Sequence, residues 1–331
     1  MPKKVTIYDV AAEANVSPST VSRYLNRTSY IVKEKVDAIE AAIFTTGFKP
    51  RKRKTSSKKV RNMKLGILVP SYDVPFTHRL LSGVNSVLSQ TSYELIIETT
   101  MWDRDRELKE LQAMVNSELD AIIMVCGLAT EAKIKEITED LPVLLVLREQ
   151  EGIFPVINID NELGGYVATT HLIQRGHRNI VHVRGAEDNI DANQRFAGYK
   201  RALASAGIKY DPRLVIDGAF ESQLAMESMM KLCKEKRFFT AVFAGNDLSA
   251  LGAMQGLDRS GLKIPNNVSV VGFDDLPICE YYIPRLTTIK SPLSEIGEIA
   301  TKYVLDLISN NPTEYEIPPI EIIHRNSVAM A

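Results

Sequence analysis

No stretch of this 331-residue chain approaches the roughly 18 consecutive apolar residues of a membrane-spanning helix. The opening segment, MPKKVTIYDVAAEA, has no apolar run that could serve as a signal peptide, so a cytoplasmic protein without membrane contact is expected. Cysteine is scarce. Cys126, Cys233 and Cys279 stand far apart, an odd set that argues against a disulfide framework and fits a reducing compartment. The plain reading of all three is small core-filling thiols. Equally absent are a G-x-x-x-x-G-K-[ST] phosphate loop, G-x-G-x-x-G after the first strand, H-E-x-x-H, C-x-x-C and a G-x-S-x-G elbow. No catalytic residue, metal site or cofactor is therefore assigned, and an enzyme is not expected.

One stretch lacks acid altogether. Residues 49–64, KPRKRKTSSKKVRNMK, hold nine Lys or Arg and no Asp or Glu. The overall net charge of −1 hides this asymmetry: residues 1–64 carry 15 basic and 5 acidic side chains, leaving the remainder acidic. Two parts with opposite fields imply two kinds of partner, one of them polyanionic.

The first sixty residues read as three short helices. Thr6 caps one that starts at Ile7, with Asp9 favoured at the positive helix end and Ile7, Val10 and Ala11 on one face. It ends near Ala14-Asn15. Ser17 caps a second, with Pro18 at its first position, Val21 and Tyr24-Leu25 inward, and Ser19, Thr20, Ser22 and Arg23 outward. A third runs from Lys33 to Thr45 on a stripe of Val36, Ile39, Ala42 and Ile43, with Gly47 beyond its end. Two short helices joined tightly, with small polar groups and an Arg exposed on the second, describe a helix-turn-helix DNA reader, although periodicity alone fits any small helical bundle.

The wording of TIYDVAAEANVSPSTVSRYLN, Thr6 to Asn26, closely resembles the headpiece of the LacI/GalR family of bacterial transcription regulators. The resemblance implies that Pro18 and Ser19 occupy operator-choosing positions and that Arg23 contacts a base, a role suited to guanine O6 and N7. It likewise implies that Thr6, Ser17, Thr20, Ser22, Asn26 and Tyr30 touch phosphates or brace the headpiece. Ser17 also reads as a helix cap alone. Pro18 departs from the pattern, because it has no side-chain donor or acceptor for a base.

From Met63 onward, apolar runs alternate with helical patterns. Strands are expected at 65–70, 93–100, 121–126, 143–147, 180–183, 240–245 and 268–273, with helices at 104–116, 163–174 and 248–256 between them. Short continuous apolar strands separated by helices mean parallel sheets covered on both faces, and there are too many for one ordinary sheet. The segments NIDNELGGYVATTHLIQRGHRNIVHV, NQRFAGYKRAL, VFAGNDLSALGAMQGL, IPNNVSVVGFDD and PRLTTI resemble the same family's effector-binding core, itself similar to periplasmic sugar-binding proteins. The fold class implied is α/β: a helix-turn-helix headpiece plus two doubly wound parallel-sheet subdomains. The expected domains are headpiece 1–48, basic hinge 49–64 and core 65–331. Within the core, an N-subdomain takes about 65–160 and 292–320, and a C-subdomain about 161–291 and 321–331.

The resemblance implies a homodimer that reads a pseudo-palindromic double-stranded operator, and a small-molecule effector in the cleft at the strand ends. Arg195, Asn246 and Asp274 match ligand-contacting positions and suit vicinal hydroxyls. Phe220 matches an aromatic beside the ligand, and Phe76 and Thr77 match the loop that closes the pocket. Arg195 also reads as an interdomain ion pair, Phe220 as core, and Arg148 as either ligand contact or solvated loop. His171 and His177 read as packing and turn residues.

The chain is expected to act as a repressor that answers to a sugar or sugar derivative. Alternatives are a nucleoside or purine corepressor, or constitutive binding without effector. A transport-type binding protein would need an export signal and no headpiece; an architectural DNA binder would not need Arg195, Asn246 and Asp274. A phosphocarrier protein is a further partner of such regulators that nothing in this sequence supports. At the hinge, Arg51, Arg53, Lys54, Ser57 and Lys58 stand where the family carries a short helix with an apolar minor-groove wedge. Ser57 takes the wedge position, so the hinge reads either as a phosphate-neutralising DNA contact or as a flexible cationic tether. In both readings, weaker operator bending than the family norm is expected.

Overall fold

The computed structural model describes residues 6–18, 20, 21, 24, 33–46, 48, 61–311 and 313–331. The chain forms two compact units, residues 1–60 and 61–331.

In the first unit, helix α1 spans Ile7–Glu13. The Asp9 carboxylate accepts from the Thr6 amide and the Thr6 hydroxyl, each at 2.7 Å, which satisfies the start of the helix. Asn15, at φ 48, turns the chain where an asparagine tolerates the left-handed region. Ser17 Oγ then accepts from the Thr20 amide at 3.1 Å, and Pro18, Thr20, Val21 and Tyr24 are helical. Helix α2 spans Lys33–Thr46. Val10, Ala11, Ala14, Val21, Ile39 and Ala42 are buried together, while Val36 and Ile43 of the expected stripe are half-buried. The Tyr24 hydroxyl donates to Glu40 at 2.6 Å, tying the second helical turn to α2. Leu25 and Gly47 lie outside the described residues.

The second unit holds two sheets. In the first, β1 (Lys64–Val69), β2 (Glu94–Thr99), β3 (Ala121–Val125), β4 (Val143–Val146) and β5 (Val156–Ile157) are all parallel, in the order β2-β1-β3-β4-β5. The second orders β11-β10-β9-β8-β6-β7. Its strands are β6 (Ile180–Arg184), β7 (Val215–Asp217), β8 (Ala241–Ala244), β9 (Ser269–Asp274), β10 (Thr287–Lys290) and β11 (Glu321–Ile323). Only β11 runs antiparallel to its neighbour. The seven apolar runs expected as strands all form them. The short β5, β7 and β11 carry too few residues for a pattern, and their pairing comes from the sheet edges they complete.

Helix α3 (Pro75–Leu88) packs on α11 (Leu293–Ser309), and both cover the first sheet together with α4 (Arg104–Asn116) and α5 (Glu131–Thr138). Helices α6 (Asn161–Gln174) and α7 (Ile190–Ser205) pair on the second sheet, α8 (Ser222–Lys234) pairs with α9 (Asp247–Arg259), and the short α10 (Ile278–Tyr281) follows β9. The chain thus leaves the first sheet after β5, returns after β10 to supply α11, and crosses once more to add β11. One apolar cluster runs through both sheets and includes Val69, Val146, Phe273 and Ile289. Cys126 and Cys279 are buried free thiols, and Cys233 is half-buried. His177 bridges the Thr240 hydroxyl and the Ala329 carbonyl, and burial pushes His171 down to about 4. Among the described residues, no helix is long and apolar enough to cross a membrane.

Candidate functional site

The polar groups of the core gather where parallel strands end. Gly165 of α6 and Gly198 of α7 begin the construction: a Cβ on Gly165 would lie 2.2 Å from the Arg195 carbonyl, and one on Gly198 2.1 Å from the Glu162 carbonyl. Only glycine lets these backbones touch. Their contact brings Asn161, at the first turn of α6, against Arg195 on α7.

Arg195 is 6% exposed and its guanidinium is held on several sides. Nε donates to Asn161 Oδ1 at 2.9 Å, Nη1 donates to the Gly245 carbonyl at 2.7 Å, and Asp274 Oδ1 lies 3.6 Å from Nη1. The guanidinium carbon lies 3.8 Å from the centroid of Phe273 and 5.5 Å from that of Phe220. Arg195 therefore joins α6, β8 and β9 within the second sheet's half. The interdomain ion pair is not what forms.

Asp274 ends β9 at φ 110, a conformation few non-glycine residues adopt and one that costs about 1–3 kcal/mol. Ser291 donates to its carboxylate at 3.4 Å. Asp247 lies beneath it, fully buried, with Oδ1 accepting from the Thr288 hydroxyl at 2.5 Å and Oδ2 from the Leu276 amide at 2.7 Å. Burial and then the charge of Asp274 raise the Asp247 carboxyl above the usual carboxylate range; burial raises Asp274 too, against the opposing pull of Arg195. Two carboxylates so placed resist ionising together.

Asn246 caps α9, its Oδ1 accepting from the Ser249 amide at 2.8 Å while Nδ2 donates to the Phe220 carbonyl at 3.2 Å. The helix cap is made by Asn246 and not by the neighbouring Asp247. Phe220, at φ 63, lays its ring against Gly185, where a Cβ would meet it at 2.4 Å, and stays half-buried. Phe76 and Thr77 lie in the first turn of α3; Phe76 packs on the central apolar cluster, and the Thr77 hydroxyl is buried without a hydrogen-bond partner among the described residues. From the same helix, Arg79 donates to the Asp275 carbonyl, joining the two halves.

Arg148 is corrected on both of its readings. It is neither a solvated loop residue nor free for a ligand: Nη1 meets Glu107 Oε1 at 2.6 Å and the Cys126 carbonyl at 2.8 Å, and Nη2 donates to the Ala129 carbonyl. Glu107 Oε2 in turn accepts from the Leu128 and Ala129 amides at 2.7 and 2.9 Å. The pair is a closed internal clasp, invisible in sequence because its partners are 41 residues apart.

Asn161, Asp191, Ser291 and Arg79 join this constellation without having been singled out. For Asp191 a signal existed, since it precedes Arg195 by four residues and so shares a helix face with it. A cavity of about 670 Å³ lies elsewhere, at the start of β6 between Arg178 and the 206–214 loop, and contains none of these groups.

On the headpiece, Thr6 and Ser17 are committed to helix starts as described, Ser17 Oγ also lies 2.7 Å from Thr20 Oγ1, and Pro18 is half-exposed. Ser19, Ser22, Arg23, Asn26, Tyr30, Arg51, Arg53, Lys54, Ser57 and Lys58 lie outside the described residues.

Comparison with known proteins agrees with both units. The family model for bacterial regulatory proteins of the lacI family matches residues 6–51, and that for the periplasmic binding protein-like domain matches 169–328. The HTH-type transcriptional repressor PurR of Escherichia fergusonii is 31% identical over 331 residues, 98% of this chain and 97% of that protein. The transcriptional regulator CelR, solved with cellobiose, is 26% identical with a TM-score of 0.71, covering 98% of this chain and 99% of that one. The lac repressor dimer bound to operator and the anti-inducer ONPF is 23% identical with a TM-score of 0.75, covering 99% and 100%, a likeness of fold.

Proposed function

Because the chain belongs to the lacI family of bacterial regulatory proteins, we propose that the cleft at the strand ends of its core holds a sugar or sugar derivative as effector. The protein is a DNA-binding transcriptional repressor controlled by a small molecule. The observation that carries the effector reading is the convergence of Arg195, Asp274, Asn246 and Phe220 at the ends of strands in one half of the core. An aromatic floor with planar donors and acceptors above it suits a polyhydroxylated ligand. Phe76 and Thr77 close the site from the other half. CelR, whose solved complex contains cellobiose, supports this class of ligand.

Two copies pair their headpieces on a pseudo-palindromic operator in the cytoplasm. Arg23, with Pro18 and Ser19, reads base edges, while Thr6, Ser17, Thr20, Ser22, Asn26 and Tyr30 contact phosphates or brace the helices. The basic hinge, including Arg51, Arg53, Lys54, Ser57 and Lys58, adds phosphate neutralisation. The function is binding and not catalysis. Control requires the effector to prefer one of two core conformations.

The test is selection of an operator from randomised duplex DNA, followed by titration with and without a panel of sugars. One selected palindrome, bound with steep salt dependence and modulated by a panel member, is expected. Arg23→Ala should lose about 1–3 kcal/mol of discrimination while non-specific affinity stays nearly constant. Equal affinity for selected and random DNA would overturn the repressor reading. A ligand whose binding survived both Arg195→Ala and Asp274→Asn would displace the effector from this cleft.

A further inference from the structure

The effector cleft lies where strands of the second sheet end; the cavity of about 670 Å³ lies where one of them begins. Its floor is made by Ile180 at the start of β6, Tyr199 and Leu203 of α7, and Ile208 and Leu214 of the loop that follows. That loop is fixed by its own chemistry. Asp211 Oδ1 accepts from the Arg213 amide at 2.9 Å, Leu214 is buried, and Tyr210 sets its ring edge-on to Phe196 with centroids 6.2 Å apart. A volume of this size suits a whole metabolite and not a lone ion.

The rim is basic in a core whose overall balance is acidic. Arg178, Lys209 and Arg213 line it, against the single acid Asp211. Arg213 is engaged by that acid, Nε meeting Oδ1 at 2.8 Å and Nη2 meeting Oδ2 at 2.7 Å. Arg178 and Lys209 are exposed, and among the described residues neither has an acid within 4.0 Å. Arg178 donates to the Ile173 carbonyl at 3.4 Å, while Lys209 has no partner among those residues. The half-buried Asn179 side chain and the Tyr210 hydroxyl, which also line the cavity, make no hydrogen bond among them either.

Two cations without a matching acid call for a dianion. A phosphate monoester carries about −1.5 to −2 charge at pH 7 and three strong acceptor oxygens. A carboxylate would leave one cation unmatched, and a neutral sugar would leave both.

We propose that this cavity is a second ligand site, separate from the effector cleft, and that it takes a small phosphate monoester. Arg178 and Lys209 hold the phosphate, Asn179 and Tyr210 donate to its oxygens, and the apolar floor carries the organic body. The assignment is independent of the effector reading, since it uses none of Arg195, Asn246, Asp274 or Phe220. The two sites do share a strand: Ile180 begins β6 in the cavity floor, and Gly185 follows its end against Phe220.

A hydrated surface groove, its Arg and Lys merely solvated, is the competing account. Full-length protein in low salt is titrated calorimetrically with ribose 5-phosphate, glucose 6-phosphate and AMP, each beside its unphosphorylated parent, and with inorganic phosphate. One ester should bind at least about tenfold tighter than both its parent and inorganic phosphate. Arg178→Gln and Lys209→Gln should each weaken it about five- to tenfold, and the double variant should erase the preference. Arg178→Lys combined with Lys209→Arg keeps both charges and should keep the preference. Both positions are exposed, so melting temperatures should stay within about 2 °C of the unmodified protein. An ester never preferred over its parent overturns the proposal, as does a preference that outlasts the double Gln variant. Inorganic phosphate bound as tightly as every ester overturns it too. Each such failure leaves the effector reading standing, because that reading is tested with sugars and with variants of the cleft.

Discussion

Each half of the core buries one arginine beside the cleft, and the two meet opposite company. Arg148, in the first half, faces a single carboxylate at 2.6 Å and two backbone carbonyls, so the group is neutral and complete. Arg195, in the second, is shared among Asn161, Gly245 and a more distant Asp274. The same fold has been given a structural clasp on one side and an unbalanced polar floor on the other. Buried charge that is paired stabilises geometry, whereas charge left uneven is available to a ligand.

The contrast breaks most visibly at the clasp. Glu107→Ala leaves a buried guanidinium without its counter-charge and strips the Leu128 and Ala129 amides of their acceptor; a loss of about 3–5 kcal/mol in urea unfolding is expected. Changing Glu107 and Arg148 together to apolar residues should recover part of that loss. If the single variant costs less than about 1 kcal/mol, the clasp is not structural.

On the other side, Arg195→Ala should cost less stability, about 1.5–3 kcal/mol from its charge-assisted hydrogen bonds, yet abolish the effector response in calorimetry. Operator binding without effector should persist. A variant that still answers to effector would remove Arg195 from the floor.

The carboxyl pair sharpens the comparison through pH. Asp247 and Asp274 hold their protons in the folded chain where the unfolded chain has released them, so their contribution to stability declines as pH climbs above the ordinary carboxylate range. Asp247→Asn removes part of that decline. Its urea stability relative to the unmodified chain should rise from about pH 5 to about pH 7 by on the order of 1–2 kcal/mol. The buried histidines, whose lowered pKa values act in the opposite direction, are common to both proteins and cancel in the difference. A flat difference would mean the pair does not share its burden.

The smallest effect belongs to a single hydrogen bond at the start of β6. Tyr199 donates to the Ile180 carbonyl at 2.9 Å, so Tyr199→Phe should cost about 0.5–1.5 kcal/mol and leave effector affinity unaltered.

Much of this was legible in the residues themselves. Thr6 and Ser17 announce helix starts, and seven apolar runs announce strands, because both signals are local. Arg195 and Asp274 came through resemblance, and the structure brings them within 3.6 Å of each other. Asn161 and the Glu107 partner of Arg148 stayed hidden, since each meets its arginine only after distant helices and loops pack. The reading of Arg148 as a solvated loop residue failed for that reason. Asp191 was a local signal passed over, four residues before Arg195 on one helix.

The order in which the chain visits its two sheets bears on how it is made. The first sheet is threaded by Ile157, but α11, which covers β3 and β4 and packs on α3, comes from Leu293–Ser309. A ribosome adding roughly 5–20 residues per second needs on the order of ten seconds to span that interval. Meanwhile Leu80, Val84, Ile123 and Val146 belong to a core whose lid, carrying Ile296, Ala300 and Val304, is unmade. The growing chain thus presents a long-lived apolar face, a natural foothold for a chaperone, and a nascent polypeptide halted before α11 is where that foothold should be sought.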